Sequence, residues 1–230
     1  AVLTRSSLYL RIEETGMDGE DWEKLWREVK TAQHQKGYQQ AYRSMEAAAK
    51  DTEGEMLFYG SKVCEGVFHR ISSGATRDGL EVFGKMEKGY LLSVDSNWDM
   101  YGEGYLSGHY FSEEALRKQL EKAYPGLVFT EESPEKQINM YKRDKVGHIL
   151  SLTVGNKTIS GEEFRKLLEL PSSNFTMQAA DGKIRFLCKG QGHGLGLSQY
   201  GGNVLAKEGK SYKEILRYYF PECGVQKKDS

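Results

Sequence analysis

Residues 190–202 read GQGHGLGLSQYGG, and the side chains there that can do chemistry are His193, Ser198, Gln199 and Tyr200. An imidazole exchanges protons near neutral pH or ligates a metal. A hydroxyl and an amide hydrogen-bond polar ligands, and a tyrosine ring adds a flat apolar face. Glycine tolerates positive φ and lets another backbone or a ligand come close. Gly190, Gly192, Gly194 and Gly196 fall on every second position. In an extended chain this leaves one face bare and puts Gln191, His193, Leu195 and Leu197 on the other. A second polar group, His69 with Ser72, Ser73 and Thr76, ends a strand-like stretch, again beside a glycine, Gly74.

Several chemistries compete for these residues. A dinucleotide-binding turn needs G-x-G-x-x-G after a strand and an acid further on; the frames here are loose and no acid stands at that distance. A serine hydrolase needs a G-x-S-x-G elbow, which is absent, and Ser198 is placed to cap the helix that follows. A metal hydrolase would combine His193, His69 and a carboxylate. Without chemistry, the segment is a tight glycine seam around a hydrogen-bonded histidine, Tyr200 packs, and 71–76 is a simple turn.

The elements that must position these groups follow from periodicity. Residues 1–14 read as an amphipathic helix entered in its middle, with no cap and no signal peptide, which marks a processed or excised chain. Trp22, Leu25, Trp26 and Val29 form a helical stripe over 20–30 and are expected in a core. The polar stretch 31–45 shows no period and reads as loop, followed by a short helical turn at 47–51. Strands are expected at 55–60, 62–69, 174–179 and 183–188, with a hairpin of 148–154 and 157–160 around Gly155-Asn156. Helices are expected at 112–124, capped by Ser112 and stopped at Pro125-Gly126, and at 198–208, ending at Gly209. Capping boxes at Ser160–Glu163 and Ser211–Glu214 open two more. Strands and helices are segregated, so the fold class is α+β, with mixed and antiparallel sheets and packed helices. One domain is expected, 1–230, with two lobes around a cleft and 60–140 as one lobe.

Bulk properties exclude some functions. The 230 residues carry a net charge of −1, so no basic field favours nucleic acid as a partner. No apolar run reaches the length of a membrane span. Cys64, Cys188 and Cys223 lack C-x-x-C spacing, which argues against zinc and against a disulfide framework. Buried free thiols are expected, with one bridging pair left open. Asp144 beside Arg143 reads as an ion pair, and Asp95 as a turn cap.

GQGHGLGLSQYGGNVLAKEGKSYKEILRYYFPECG (190–224) resembles the C-terminal signature of the stage II sporulation protein D (SpoIID/LytB) family. That signature runs G-x-G-H-G-x-G-[ML]-S-Q-Y-G-A, a helix of small and apolar residues, then G-x-[ST]-Y-x-E-I-L-x-x-Y-Y-P. RDKVGHILSLTVGNKTISGEEFRKLLELPSSNF, TEGEMLFYGSKVCEGVFHRISSGATRDGLEVFG, GYLLSVDSNWD and AVLTRS resemble further segments of the same family. The likeness covers nearly the whole chain and is weakest over 12–37 and 100–140.

The resemblance implies lytic transglycosylation of peptidoglycan, cleaving the MurNAc-GlcNAc bond of glycan strands without water during sporulation. One carboxylic acid protonates the leaving oxygen and, as its base, takes the proton of the sugar's C6 hydroxyl. That acid is a glutamate expected upstream of Ala1, so no carboxylate here is assigned the role. His193, Ser198, Gln199, Tyr200, His69, Ser72, Ser73 and Thr76 are then substrate-binding candidates. Arg5 would orient the acid or bind a carboxylate, and Tyr90, Gln40 and Tyr42 are further candidates. No cofactor is implied. Some members bind zinc in a loop matching KGYQQAYRS, but Tyr38 and Gln39 stand where His and Cys would fall, so no metal is expected. Leu92 and Gly89 replace the family's frequent lysine and proline. The resemblance also implies a cell-wall amidase or endopeptidase as partner, a location outside the cytoplasm with an N-terminal anchor absent from this chain, and, as the alternative, a non-catalytic glycan-binding activator of an amidase.

Overall fold

The computed structural model describes residues 1–16, 23 and 38–228. The stripe 20–30 with Trp22 and Trp26 lies largely outside the described residues. Seven helices are described: α1 (Val2–Thr15), α2 (Tyr38–Asp51), α3 (Gly79–Phe83), α4 (Glu113–Ala123), α5 (Gly161–Leu167), α6 (Gln199–Lys207) and α7 (Tyr212–Tyr219). The strands are β1 (Glu55–Tyr59), β2 (Lys62–Val63), β3 (Phe68–His69), β4 (Leu106–Phe111), β5 (Ile138–Arg143), β6 (Ile149–Val154), β7 (Lys157–Ser160), β8 (Phe175–Ala180), β9 (Lys183–Lys189), β10 (Leu197–Ser198) and β11 (Cys223–Lys227). The fold is α+β, with antiparallel three-stranded sheets and one short parallel pair. None of the described helices is long and apolar enough to cross a membrane.

Two compact units divide the chain: Ala1–Val67 with Glu222–Ser230, and Phe68–Pro221. In the first, the sheet runs β11-β1-β2. Helix α1 is tied to it by Ser6, whose buried hydroxyl accepts the Leu57 N–H at 2.8 Å and donates to the Val2 carbonyl. Gly66 sits so close to the Leu3 backbone that any side chain there would overlap it. The stretch expected as loop through residue 45 is helical from Tyr38. Gln, Arg, Met, Glu and Ala are strong helix formers, and Tyr38, Tyr42 and Met45 fall at i, i+4 and i+7 on one face of α2, a period that the surrounding polar residues mask.

In the second unit, the sheets β4-β9-β8 and β5-β6-β7 share one core with α4 and α5. Phe164, Phe175 and Phe186 are fully buried there, with ring centroids 5.4–5.8 Å apart. Both expected capping boxes form: Ser160 with Glu163, and Ser211 with Glu214. The hairpin at Gly155-Asn156 forms between β6 and β7 in the expected register. Strand 62–69 is broken into β2 and β3. Strands β4, β5 and β11 come from segments with no alternation strong enough to announce them.

A glycine-laced loop over a buried ion cluster

The candidate site lies wholly within Phe68–Pro221, where the glycine segment runs beside residues 68–77. At its start, Gln191 N–H donates to the Ile71 carbonyl at 2.7 Å, while Arg70 and Ile71 N–H both reach the Gln191 carbonyl. In its middle, Arg77 N–H donates to the Gly194 carbonyl at 2.8 Å. At its end, β10 pairs in parallel with β3, Ser198 opposite His69.

The segment is not the extended strand that its alternation predicts. Gly190, Gly192, Gly194 and Gly196 have φ of 77°, 109°, 77° and 68°. All four are in the region that L side chains avoid. Close approach adds a second reason. A Cβ at Gly192 would lie 2.8 Å from the His69 Cβ, and one at Gly194 would lie 2.9 Å from the Arg77 Cδ and 3.0 Å from the His148 Nε2.

Beneath the loop is a charged cluster that sequence reading did not find. The Arg77 side chain is buried; its Nε donates to Asp144 Oδ2 at 2.6 Å and its NH1 to Glu162 Oε1 at 3.3 Å and the His193 carbonyl at 3.1 Å. Asp144 pairs with the buried Arg77, and its charge also acts on the adjacent Arg143, whose guanidinium donates to the Gly147 and Phe175 carbonyls. His148 Nδ1 meets Ser173 Oγ at 2.9 Å, and Ser173 donates to Glu162 Oε1 at 2.6 Å. Ser173's proton is thus spent on Glu162, so His148 carries its own proton on Nδ1 and offers Nε2 to Ser73 Oγ, 3.3 Å away. Burial, and then the Arg77 cation, hold the His148 imidazole well below its ordinary range. Burial alone would raise Glu162, but the Ser173 hydrogen bond and the Arg165 and Arg77 cations outweigh it and keep the carboxyl low.

The sequence-predicted candidates sort by exposure and hydrogen bonding. His193 is half-buried, and its Nδ1 accepts the Leu195 N–H at 3.1 Å. His69 is buried 5.8 Å from it, ring to ring, with Nδ1 on the Leu195 carbonyl and Nε2 without a partner. Burial pushes His69 down to about 4, so both rings are neutral at pH 7. Ser198 is buried and caps α6, accepting the Gly201 N–H. Ser72 is buried: its hydroxyl accepts from Gly74 N–H, and its own N–H donates to Asp99 Oδ2 at 2.7 Å. Thr76 bridges the Leu92 carbonyl and the Val94 N–H. Tyr90 is 2% exposed. These four are framework. Ser73 and Tyr200 are half-buried and Gln199 is exposed, so they join His193 at the accessible surface.

Arg5, Gln40 and Tyr42 belong to the other unit. Arg5 donates to the Thr52, Glu55 and Ala49 carbonyls, spending its guanidinium on the end of α2. Gln40 and Tyr42 are exposed on α2. Among the described residues, no three His, Cys, Asp or Glu side chains converge as metal ligands would.

No family model matches the chain. It is 30% identical over 193 residues to stage II sporulation protein D of Bacillus amyloliquefaciens, and 27% identical over 194 residues to the protein of that name in Bacillus subtilis. Each likeness covers 84% of this chain and 54% of the relative, so the chain spans about half the length of these curated proteins. A 50-residue stretch, 22% of the chain, is 42% identical to 7% of the amidase enhancer of Bacillus subtilis. With both units folded from segments that carry the signature, and the likeness spread over most of its length, the chain belongs to the stage II sporulation protein D family.

Proposed function

We propose that this chain is the glycan-holding part of a cell-wall protein of sporulation, acting outside the cytoplasm, whose reaction is lytic transglycosylation of peptidoglycan strands. The observation that carries the proposal is the surface of the glycine loop. His193 on the loop, Gln199 and Tyr200 at the start of the helix that follows it, and Ser73 in the neighbouring segment are its solvent-accessible candidates, and Arg77 fixes the loop by donating to the His193 carbonyl. Gln199 and Ser73 suit sugar hydroxyls and N-acetyl groups, and the Tyr200 ring suits a sugar face. The neutral imidazole of His193 adds a polar edge without charge.

The acid is not among the carboxylates of the cluster. A general acid for glycosidic cleavage needs a raised pKa. Glu162 is held low, and Asp144 is committed to Arg77. The proposed acid is the glutamate that the family resemblance places before Ala1. Mass spectrometry of stripped glycan strands after digestion tests this. A longer form of the protein carrying that glutamate is expected to leave 1,6-anhydro-MurNAc ends, and its Glu→Gln variant none. Hydrolytic reducing ends, or equal products from the Gln variant, would refute it.

The likeness to an amidase enhancer favours a second reading, in which the chain binds glycan and stimulates an amidase. It predicts faster amidase release of stem peptides with no anhydro ends.

A further inference from the structure

Cys64 and Cys223 lie in the same unit, and their Sγ atoms are 3.8 Å apart. Cys64 follows β2 and is buried, its N–H on the Leu57 carbonyl at 3.0 Å. Cys223 opens β11 opposite Tyr59 and is half-buried. Both therefore flank β1, the central strand of their sheet. A disulfide places its sulfurs about 2 Å apart and its Cα atoms within about 7 Å, so closure draws the sulfurs together by about 2 Å and needs the chain just after β2 and the start of β11 to move inward across β1. Cys188 is different: it is fully buried in the core of Phe68–Pro221, and burial pushes its thiol up to about 11.

We propose that Cys64 and Cys223 form a redox clip, closed by exchange with an external disulfide. The more exposed Cys223 attacks first. Its thiol is held below the ordinary range by hydrogen bonding with Cys64, which raises the thiolate fraction. The Cys223 thiolate attacks one sulfur of the external disulfide, forming a mixed disulfide and expelling one thiolate. Cys64 then loses its proton and attacks the Cys223 sulfur, expelling the second thiolate. Two protein thiols are oxidised, one external disulfide is reduced to two thiols, and both protons leave on those thiols. The bond would join residues 159 apart in sequence, on either side of 68–221. A closed loop of that length restricts the unfolded chain more than a short one would. The inference is independent of what the chain binds.

The test uses the 230-residue chain and oxidised glutathione. After incubation the remaining thiols are alkylated, and intact mass and non-reduced peptides are read. The expected result is alkylation at Cys188 alone and a peptide pair joined through Cys64 and Cys223. The oxidised chain should melt about 5 °C or more above the reduced one. Cys64→Ser should stop at a glutathione adduct on Cys223, and Cys223→Ser should leave Cys64 unmodified. Alkylation of all three cysteines in the wild-type chain, a persistent glutathione adduct on its Cys223, a bridge involving Cys188, or an unchanged melting temperature would overturn the clip.

Discussion

Arg77 holds two carboxylates and the carbonyl of His193 from a site with almost no water, so its loss should be felt well beyond its own volume. Arg77→Met leaves the fully buried Asp144 carboxylate without its cation, and removing one partner of such a pair costs about 3–5 kcal/mol. Urea unfolding should show that loss, and a second change, Asp144→Leu, should recover much of it. Equal stability of Arg77→Met and wild type would mean that the pair does not hold the loop. His69 gives a pH dependence whose sign follows from its burial. Its folded pKa, about 4, lies below the ordinary 6.5, so the unfolded chain binds the proton first. Stability is then fully present above pH 6.5 and falls as the pH drops towards 4, by roughly 3 kcal/mol from this group. His69→Asn keeps a donor for the Leu195 carbonyl and removes the titration. It should flatten that part of the curve, while an unchanged slope would assign it to other groups such as His148.

At the level of elements, the glycine positions separate strain from crowding. Gly209, with φ 88° and no atom within 4 Å of an added Cβ, should lose only about 1 kcal/mol on change to Ala. Gly192→Ala adds a clash with His69 to the same strain and should cost about 2–4 kcal/mol. Equal losses in denaturant would show that close approach is unimportant there. Gly201, inside α6, faces Tyr219, Trp98 and Ser96, which leave no room for a methyl group. The sequence announced α4, α5, α6 and α7 through their caps, because capping is local. It misled on the glycine loop, because a period of two marks alternation and not the sign of φ. The Arg77 cluster was illegible for another reason: its partners are 67 and 85 residues away, and only the fold brings them together.

For the molecule as a whole, family membership was readable from long motifs, whereas which of their side chains are buried was not. Ser72, Thr76, Ser198 and Tyr90 are ligand-contact candidates by residue type and position, yet all four are buried, and the hydroxyls of Ser72, Thr76 and Ser198 are spent on the framework. The surface that remains, Ser73, His193, Gln199 and Tyr200, carries the proposed function. Its most direct test is binding of this chain to glycan strands stripped of stem peptides, measured by co-sedimentation. The wild-type chain should bind, and the double variant Gln199→Ala/Tyr200→Ala, with an unchanged circular dichroism spectrum, should bind about tenfold or more weakly, a loss of about 1.4 kcal/mol or more. Equal binding by the two chains, or none by either, would contradict the assignment of the glycine loop as the glycan-holding surface.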